Sequence, residues 1–487
     1  MAPSRYDLIV IGSGFGGAVC ACRAAQAGRR VLVLERGRRM TPARYEQLAE
    51  GRLPVFHGED SPGLLELHRL SGLIALTASA VGGGSNIYTA VTIRPPPEVF
   101  ERHWPAGITY ETLAPPYDRV QAMIAPTPIP QPLSRTAALE TIAGRMNAAA
   151  ARLPLSMDWP DDAAELQRPP ATNGVYRELA TWLQGGRAAR KRTLSQTYLA
   201  EAERAGAEIR PLHEVTAIAP HARGYRVEYR AAAEDSADTP EWQVGAVEAE
   251  RVVVAAGTLG TVRLLLRCRD VLRTLPNLSP ALGRRFSING DFGGLLVAPK
   301  LDITPDAGPP VTGWIDLWRQ DRLYLMETGL VPFDFGGFSG LLNPARWFGL
   351  RLAPTKRCTW SFGVMGYSDS PGTLALAKQE RLTHRYDPAG IAFLERSMAV
   401  LRELADAAGA SLLAPPAIIA RRLPITVHPL GGAAMADSPE HGVVDSWGQV
   451  HGHPGLFVAD GSILPAPTGV PPSMMIAALA ERVAAGL

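Results

Sequence analysis

The chain opens on an apolar, β-branched run, Tyr6 to Ile11, that reads as a buried strand. Gly12 to Gly17 interrupts it, a helical stretch runs through Ala27, and Arg30 to Glu35 returns as a second strand. Strand, turn, helix and strand in that order predict a βαβ unit that opens a doubly wound sheet. Residues 41–105 look irregular and Gly/Pro-rich, and residues 106–190 hold helical patches broken by prolines. The spacing then predicts a helix over Ser195–Ala205, a strand over Ala207–Ile218, and strands at Tyr225–Tyr229 and Trp242–Glu250 around a polar loop. A separate buried strand is expected at Arg251–Ala256, with a helix from Val262. The texture changes over residues 296–415, where strand-like runs Leu323–Met326 and Thr359–Met365 precede a helix at Pro388–Ala408. The last stretch, His428–Leu487, brings back Gly-rich turns, a strand at Gly455–Ala459 and a final helix from about Pro472. The expected architecture is α/β. Residues 1–105, 190–295 and 416–487 form one discontinuous domain; residues 106–189 and 296–415 form an inserted α+β domain on an antiparallel sheet.

Composition narrows the function more than the fold. At 487 residues the chain exceeds one ordinary core, which agrees with two domains. A net charge of +2 gives no field that would attract nucleic acid, so none is expected as a partner. The four cysteines, Cys20, Cys22, Cys268 and Cys358, form no CxxC pair and are read as free thiols of a cytoplasmic protein. A first strand at Tyr6 leaves no room for a signal peptide, and no apolar run is long enough for a membrane span. His428, His441, His451 and His453 cluster in sequence, but Gly452 and Pro454 place the last two in a turn, so no metal is expected. Residues 341–357 interleave Trp347, Phe348 and leucines with Arg346, Arg351, Lys356 and Arg357. That segment could be a lid making weak membrane-surface contact or an ordinary surface loop whose long side chains snorkel.

Gly12, Gly14 and Gly17 form G-x-G-x-x-G between strand and helix. The first glycine permits the tight turn, the second lets a pyrophosphate approach the backbone, and the third lets the helix pack on the sheet. The free N–H groups at the helix start suit phosphate. Glu35 ends the second strand where a carboxylate meets a ribose diol and would repel a 2′-phosphate. This Rossmann-like pattern alone does not separate FAD from NAD.

Further segments do. They are VGGGSNIY at 81–88, KRTLSQTYL at 191–199, VVAAGTLGTVRLLLR at 253–267, HPLGG at 428–432 and FVADGSILPAPTGVPPSMMIAALAER at 457–482. Their order resembles the glucose–methanol–choline (GMC) oxidoreductases, nearest to the bacterial cholesterol-oxidase branch. The resemblance implies FAD, with Gly82, Gly83, Gly84 and Ser85 as the loop against the flavin ring. It implies that the backbone of Val215 meets the adenine, and that Ala256 and Gly257 lie beside the ADP moiety. Asp460 and Gly461 match the second FAD motif. Pro471 and Pro472 precede the helix whose N-terminus faces the flavin in that family.

The family oxidises an alcohol by hydride transfer to flavin N5, with oxygen or another acceptor reoxidising the flavin. His428 matches its active-site histidine, Glu327 aligns with a base of the cholesterol-oxidase branch, and Asn289 lies where that branch has a residue near the flavin. Tyr88 stands where that branch has an asparagine, with flavin contact and plain packing both open. The family pairs its histidine with a second His or Asn; Pro471 stands there instead and has neither polar side chain nor N–H. The leading expectation is therefore an FAD enzyme that oxidises a bulky apolar alcohol, sterol- or terpenoid-like. One alternative is a GMC-type enzyme with altered chemistry, such as non-alcohol dehydrogenation or a redox-neutral rearrangement. Another is a non-catalytic FAD-binding protein.

Overall fold

Leu8, Ile9, Val10 and Ile11 are buried because their strand has neighbours on both sides and helix Phe15–Gln26 packed on it. The computed structural model describes residues 5–58, 61–168, 175–186, 188–232, 241–301, 303–329, 358–368, 371–385, 389–413 and 424–487. Strand Arg5–Ile11 runs parallel to Val31–Leu34, with Leu8 opposite Val31, and parallel to Gln243–Val254, with Leu8 opposite Arg251. Glu208–Arg210 extends the sheet on one side, and Leu456–Val458 pairs in parallel with Gln243–Val254 on the other. Helix Phe15–Gln26 buries nearly its whole surface between this sheet, the final helix Ser473–Ala485 and helix Tyr198–Arg204. The expected α/β fold, with a Rossmann-like parallel sheet and a separate antiparallel sheet, is the one observed.

Three local expectations change. The strands expected at Trp242–Glu250 and Arg251–Ala256 are one strand, Gln243–Val254. Its first part pairs antiparallel with Gly224–Ala231 and its last part parallel with Arg5–Ile11, which is why half-buried alternation gives way to a solid apolar run. The strand expected over Ala207–Ile218 breaks at Leu212, whose φ is +54°, into Glu208–Arg210 and His213–His221. Residues 41–105 are not irregular throughout. They carry helix Pro42–Ala49 and a hairpin, Leu65–Leu70 with Leu73–Ala78, turned at Gly72 with φ +74°. That hairpin pairs in parallel with Ile425–Thr426, two residues before His428.

The second sheet is antiparallel throughout. Its strand order is Ser411–Leu413, Phe292–Val297, Thr359–Gly366, Leu323–Thr328, Val311–Leu317 and Ala149–Arg152. Alternate residues sort to its two faces. Leu323, Leu325, Phe362 and Val364 join a core with residues of helices Ser134–Arg145 and Ala389–Ala408, whereas Met326, Met365 and Val311 belong to a different cluster on the opposite face. Helix Ala114–Ile124, expected with the inserted domain, packs against the final helix, and its Tyr117 and Val120 belong to the core of the dinucleotide sheet. No helix among the described residues is long and apolar enough to cross a membrane. Residues 341–357, expected as lid or loop, lie outside the described residues.

Candidate active site

A single cavity of about 1290 Å³ lies between the glycine turn of the first sheet and the open face of the second. Ordinary small-molecule pockets hold roughly 300–1,000 Å³, so there is room for a dinucleotide and a further molecule. Gly12, Gly14, Glu35, Val215, Ala256, Gly257, Asp460 and Gly461 line one part of it. Gly83, Gly84, Tyr88, His428, Pro471 and Pro472 line another.

The glycines divide by what a side chain would meet. A Cβ on Gly12, at φ +95°, would lie 2.3 Å from the Ala255 carbonyl oxygen, and one on Gly17 would lie 2.0 Å from that of Gly12. These two let backbone touch backbone. Gly14 and Gly257 instead have no described atom within 4 Å of a Cβ, as expected where a bound group comes up to bare backbone. The residues present therefore fit the ADP half of FAD. Glu35 is buried and ties the turn together: its Oε2 accepts from the Ser13 N–H at 3.0 Å and the Ser13 hydroxyl at 2.6 Å, and Oε1 accepts from Gly37 N–H at 2.8 Å. Burial pushes its carboxyl up from the ordinary value, and those donors oppose the shift. The Ser13 Oγ accepts in turn from Gly82 N–H at 3.0 Å, so the acid, the glycine turn and the GGGS loop form one network.

Within that loop Gly83 and Gly84 reach the cavity while Gly82 and Ser85 support them from behind, the Ser85 hydroxyl donating to Gly82 O at 2.7 Å. Lys191 holds the loop's far end: its Nζ, almost fully buried, donates to Asn86 O at 2.9 Å and Tyr88 O at 3.0 Å. Burial lowers its pKa to about 7. Tyr88 gives its ring to the cavity wall and donates its hydroxyl to Arg192 O at 2.6 Å. Asp460 caps a short turn, accepting from Ser462 N–H at 2.8 Å and Thr261 Oγ at 2.5 Å, with burial raising its pKa. The final helix then begins at Ser473, so its free N–H groups and positive dipole end face the cavity that Pro471, Pro472 and Ser473 line.

His428 is oriented by a residue that sequence reasoning passed over. Asp291 Oδ2 accepts from Thr426 Oγ1 at 2.8 Å, Val427 N–H at 2.9 Å and His428 N–H at 3.0 Å, and Oδ1 accepts from His428 Nδ1 at 2.9 Å. A carboxylate with that many donors is acceptor-only, so Nδ1 carries a ring proton, and in the neutral imidazole the lone pair is then on Nε2. His428 lines the cavity, which leaves Nε2 for whatever binds there. Asp291 stands in the SINGD stretch, but it meets its histidine across 137 residues, and no local spacing signals such a pair.

Two of the expected catalytic residues are not brought to the cavity. Asn289, fully buried, supports the loop before Pro471: its Oδ1 accepts from Thr468 N–H at 2.8 Å and Gly469 N–H at 3.2 Å, and its Nδ2 donates to Val470 O at 2.8 Å. Glu327 sits on the helix-covered face of the antiparallel sheet, while its neighbours Met326 and Thr328 line the cavity. It is fully buried and paired with Arg135 Nε at 2.8 Å; it also accepts from Thr312 N–H at 2.9 Å and from Trp360 Nε1 at 3.4 Å. Arg135 is equally buried and spends its remaining donors on the carbonyls of Pro305, Ala307 and Pro309. The geometry makes this pair a brace for the sheet. The expected placement of Glu327 over a substrate is corrected accordingly.

Residues 379–480 match the family described as GMC oxidoreductase, and residues 10–55 match the NAD(P)-binding Rossmann-like domain. A cholesterol oxidase of Mycobacterium tuberculosis (strain ATCC 25618 / H37Rv) is 29% identical, with 98% of this chain and 90% of that protein covered. The 2-methyl-1,2-propanediol dehydrogenase of Mycolicibacterium austroafricanum is 26% identical, with 98% and 94% covered. Among solved structures, pyridoxine 4-oxidase from "Mesorbium loti" superposes with a TM-score of 0.67 at 18% identity, covering 99% of this chain and 98% of that one, which is a likeness of fold.

Proposed function

The chain belongs to the GMC oxidoreductase family, and from that premise we propose that it is an FAD-dependent enzyme oxidising a bulky apolar alcohol. The observation that carries this is the Asp291–His428 pair opening on the same cavity as the dinucleotide turn. When bound, FAD supplies the hydride acceptor. His428 Nε2 takes the hydroxyl proton, and Asp291 holds the ring in the tautomer that can do so and stabilises the imidazolium that results. Leu295, Val311, Met326 and Met365 make the facing wall apolar and exclude water from the proton's path. The substrate would be a lipophilic small molecule, sterol- or terpenoid-like, with oxygen or another acceptor taking the electrons afterwards. The buried free thiols of Cys20, Cys22 and Cys268 support a reducing compartment, the cytoplasm.

Pro471 lines the cavity with neither a polar side chain nor an N–H, so the alcohol oxygen would lack the second polar side chain that the family usually places there. That observation favours one second reading, a family member with altered or redox-neutral chemistry. Anaerobic mixing with a panel of apolar alcohols separates them. Bleaching of the flavin absorbance is expected, and His428→Ala should slow it by roughly 10²–10⁴-fold. No bleaching with any alcohol would sink the oxidation reading, and product without net bleaching would support the second. A Pro471→Asn variant that oxidises alcohols faster would show that the missing partner limits the reaction.

A further inference from the structure

The facing wall of the cavity carries a gap in its side chains. In the antiparallel sheet Gly293 stands opposite Gly363, and Gly363 stands opposite Met326, so the three form one cross-strand row. All three line the cavity. The next row on the same face is Leu295, Ser361 and Thr328. Gly363 lies on an inner strand, where glycine weakens a sheet unless something approaches the backbone closely. A Cβ on Gly363 would meet no described atom within 4 Å, so packing among the described residues does not demand glycine there. Gly293 differs: its Cβ would lie 2.9 Å from Phe362 O, so the register itself calls for glycine.

The row also has a fixed place relative to the chemistry. Asp291, which holds His428, precedes Gly293 by two residues and Leu295 by four. At about 3.3 Å per residue the strip from the histidine's anchor to the Leu295 row is roughly 13 Å long, with the glycines halfway. A rigid molecule with its hydroxyl at His428 and its long axis along the strand would cross them.

We infer that Gly293 and Gly363 form a bare-backbone platform that selects a flat, fused-ring alcohol, with Gly363 as the specificity-determining position. The platform rests on the alcohol-oxidation reading for its substrate's hydroxyl, but not for its shape. A flat ring face gains contact along the whole strip, whereas a flexible chain can bend around an added side chain.

The test compares cholestanol with an open-chain pentadecanol bearing a mid-chain hydroxyl, on the FAD-loaded protein. Gly363→Leu should lower kcat/KM for cholestanol roughly a hundredfold, because the ring system is lifted from its position at the histidine. Turnover of the open-chain alcohol, FAD content and Tm should hold. Should that variant fail to fold or load, Gly363→Ala carries the test, with the ratio of the two specificity constants expected to move roughly tenfold. Equal losses for both alcohols, or no loss, overturn the platform. The corresponding ketones, bound and measured by calorimetry, keep the two ideas apart. If neither alcohol reduces the flavin, the oxidation reading fails, yet tighter binding of cholestanone than of pentadecanone, abolished by Gly363→Leu, still supports the platform. Equal affinities in the wild type overturn it.

Discussion

The two walls of the cavity use the same residue types, and each wall puts them to two ends. On the dinucleotide wall Gly12 and Gly16 let backbone meet backbone, with a Cβ on Gly16 1.3 Å from Ala459 O and one on Gly12 2.3 Å from Ala255 O, whereas Gly14 and Gly257 leave bare backbone. On the substrate wall a Cβ on Gly293 would lie 2.9 Å from Phe362 O, whereas Gly363 faces open space among the described residues. Carboxylates split in the same way. Glu35 and Asp460 bind their own turns, Asp291 holds a histidine at the cavity, and Glu327 is locked behind the sheet with Arg135. A glycine or a buried acid therefore means little until its face and its neighbour are known.

The sharpest way to break the comparison is to exchange one atom in each of the two acids of the substrate wall. Asp291→Asn should give the larger effect on rate. The amide oxygen can still accept from Val427 and His428 N–H, but its NH₂ then donates to Nδ1, which forces the ring proton onto Nε2 and removes the base. Flavin reduction should fall by roughly 10²–10⁴-fold with FAD content unchanged. A wild-type rate in that variant would remove His428 from proton transfer.

Glu327→Gln should do the reverse. It leaves the Arg135 guanidinium buried without a counter-charge, so unfolding should become easier by roughly 3–5 kcal/mol, read from denaturant or thermal melts. The rate per folded, FAD-loaded molecule should stay at the wild-type value. A collapse of rate with intact stability would return Glu327 to the reaction. A double variant, Glu327→Leu with Arg135→Met, should recover most of the loss, because replacing both members of a buried pair with apolar groups is often neutral.

The contrast also explains what the sequence made legible. The dinucleotide wall is a local object: Gly12, Gly14, Gly17 and Glu35 stand within one βαβ unit, and close backbone approach leaves glycine as its visible trace. Ser13 and Gly16 sat in that motif unremarked, though Ser13 links Glu35 to the Gly82 loop and Gly16 permits the contact with Ala459. The substrate wall is assembled from strands whose pairing depends on long-range register. Whether Glu327 faces the cavity turns on a period of two residues, which the short match of its segment to the family could not fix. Lys191 opens the KRTLSQTYL segment and Asp291 stands two residues after Asn289, but the partners of Asp291 and Lys191 lie 137 and 105 residues away. The hairpin at Leu65–Ala78 did leave a signal, Ser71–Gly72 between two apolar runs, and it was masked by the Gly/Pro-rich stretch around it.

Lys191 gives the smallest effect and the finest probe of how the dinucleotide wall is held. Its ammonium is buried among carbonyls, and burial takes its pKa to about 7, against roughly 10.4 in an unfolded chain. Below pH 7 both states are protonated and the native state bears the full cost of a buried cation. Between about pH 7 and 10 the unfolded chain holds the proton that the native state has released, so stability rises with pH across that window. The contribution between pH 7 and pH 9 should be about 2–3 kcal/mol. Lys191→Met should therefore flatten the pH dependence of Tm over that range while weakening FAD retention, since Asn86 O and Tyr88 O lose the donor that fixes the loop's end. Should wild type and variant show the same slope, the two carbonyls keep Lys191 charged throughout, and the loop is held by a permanent cation rather than by one at its titration point.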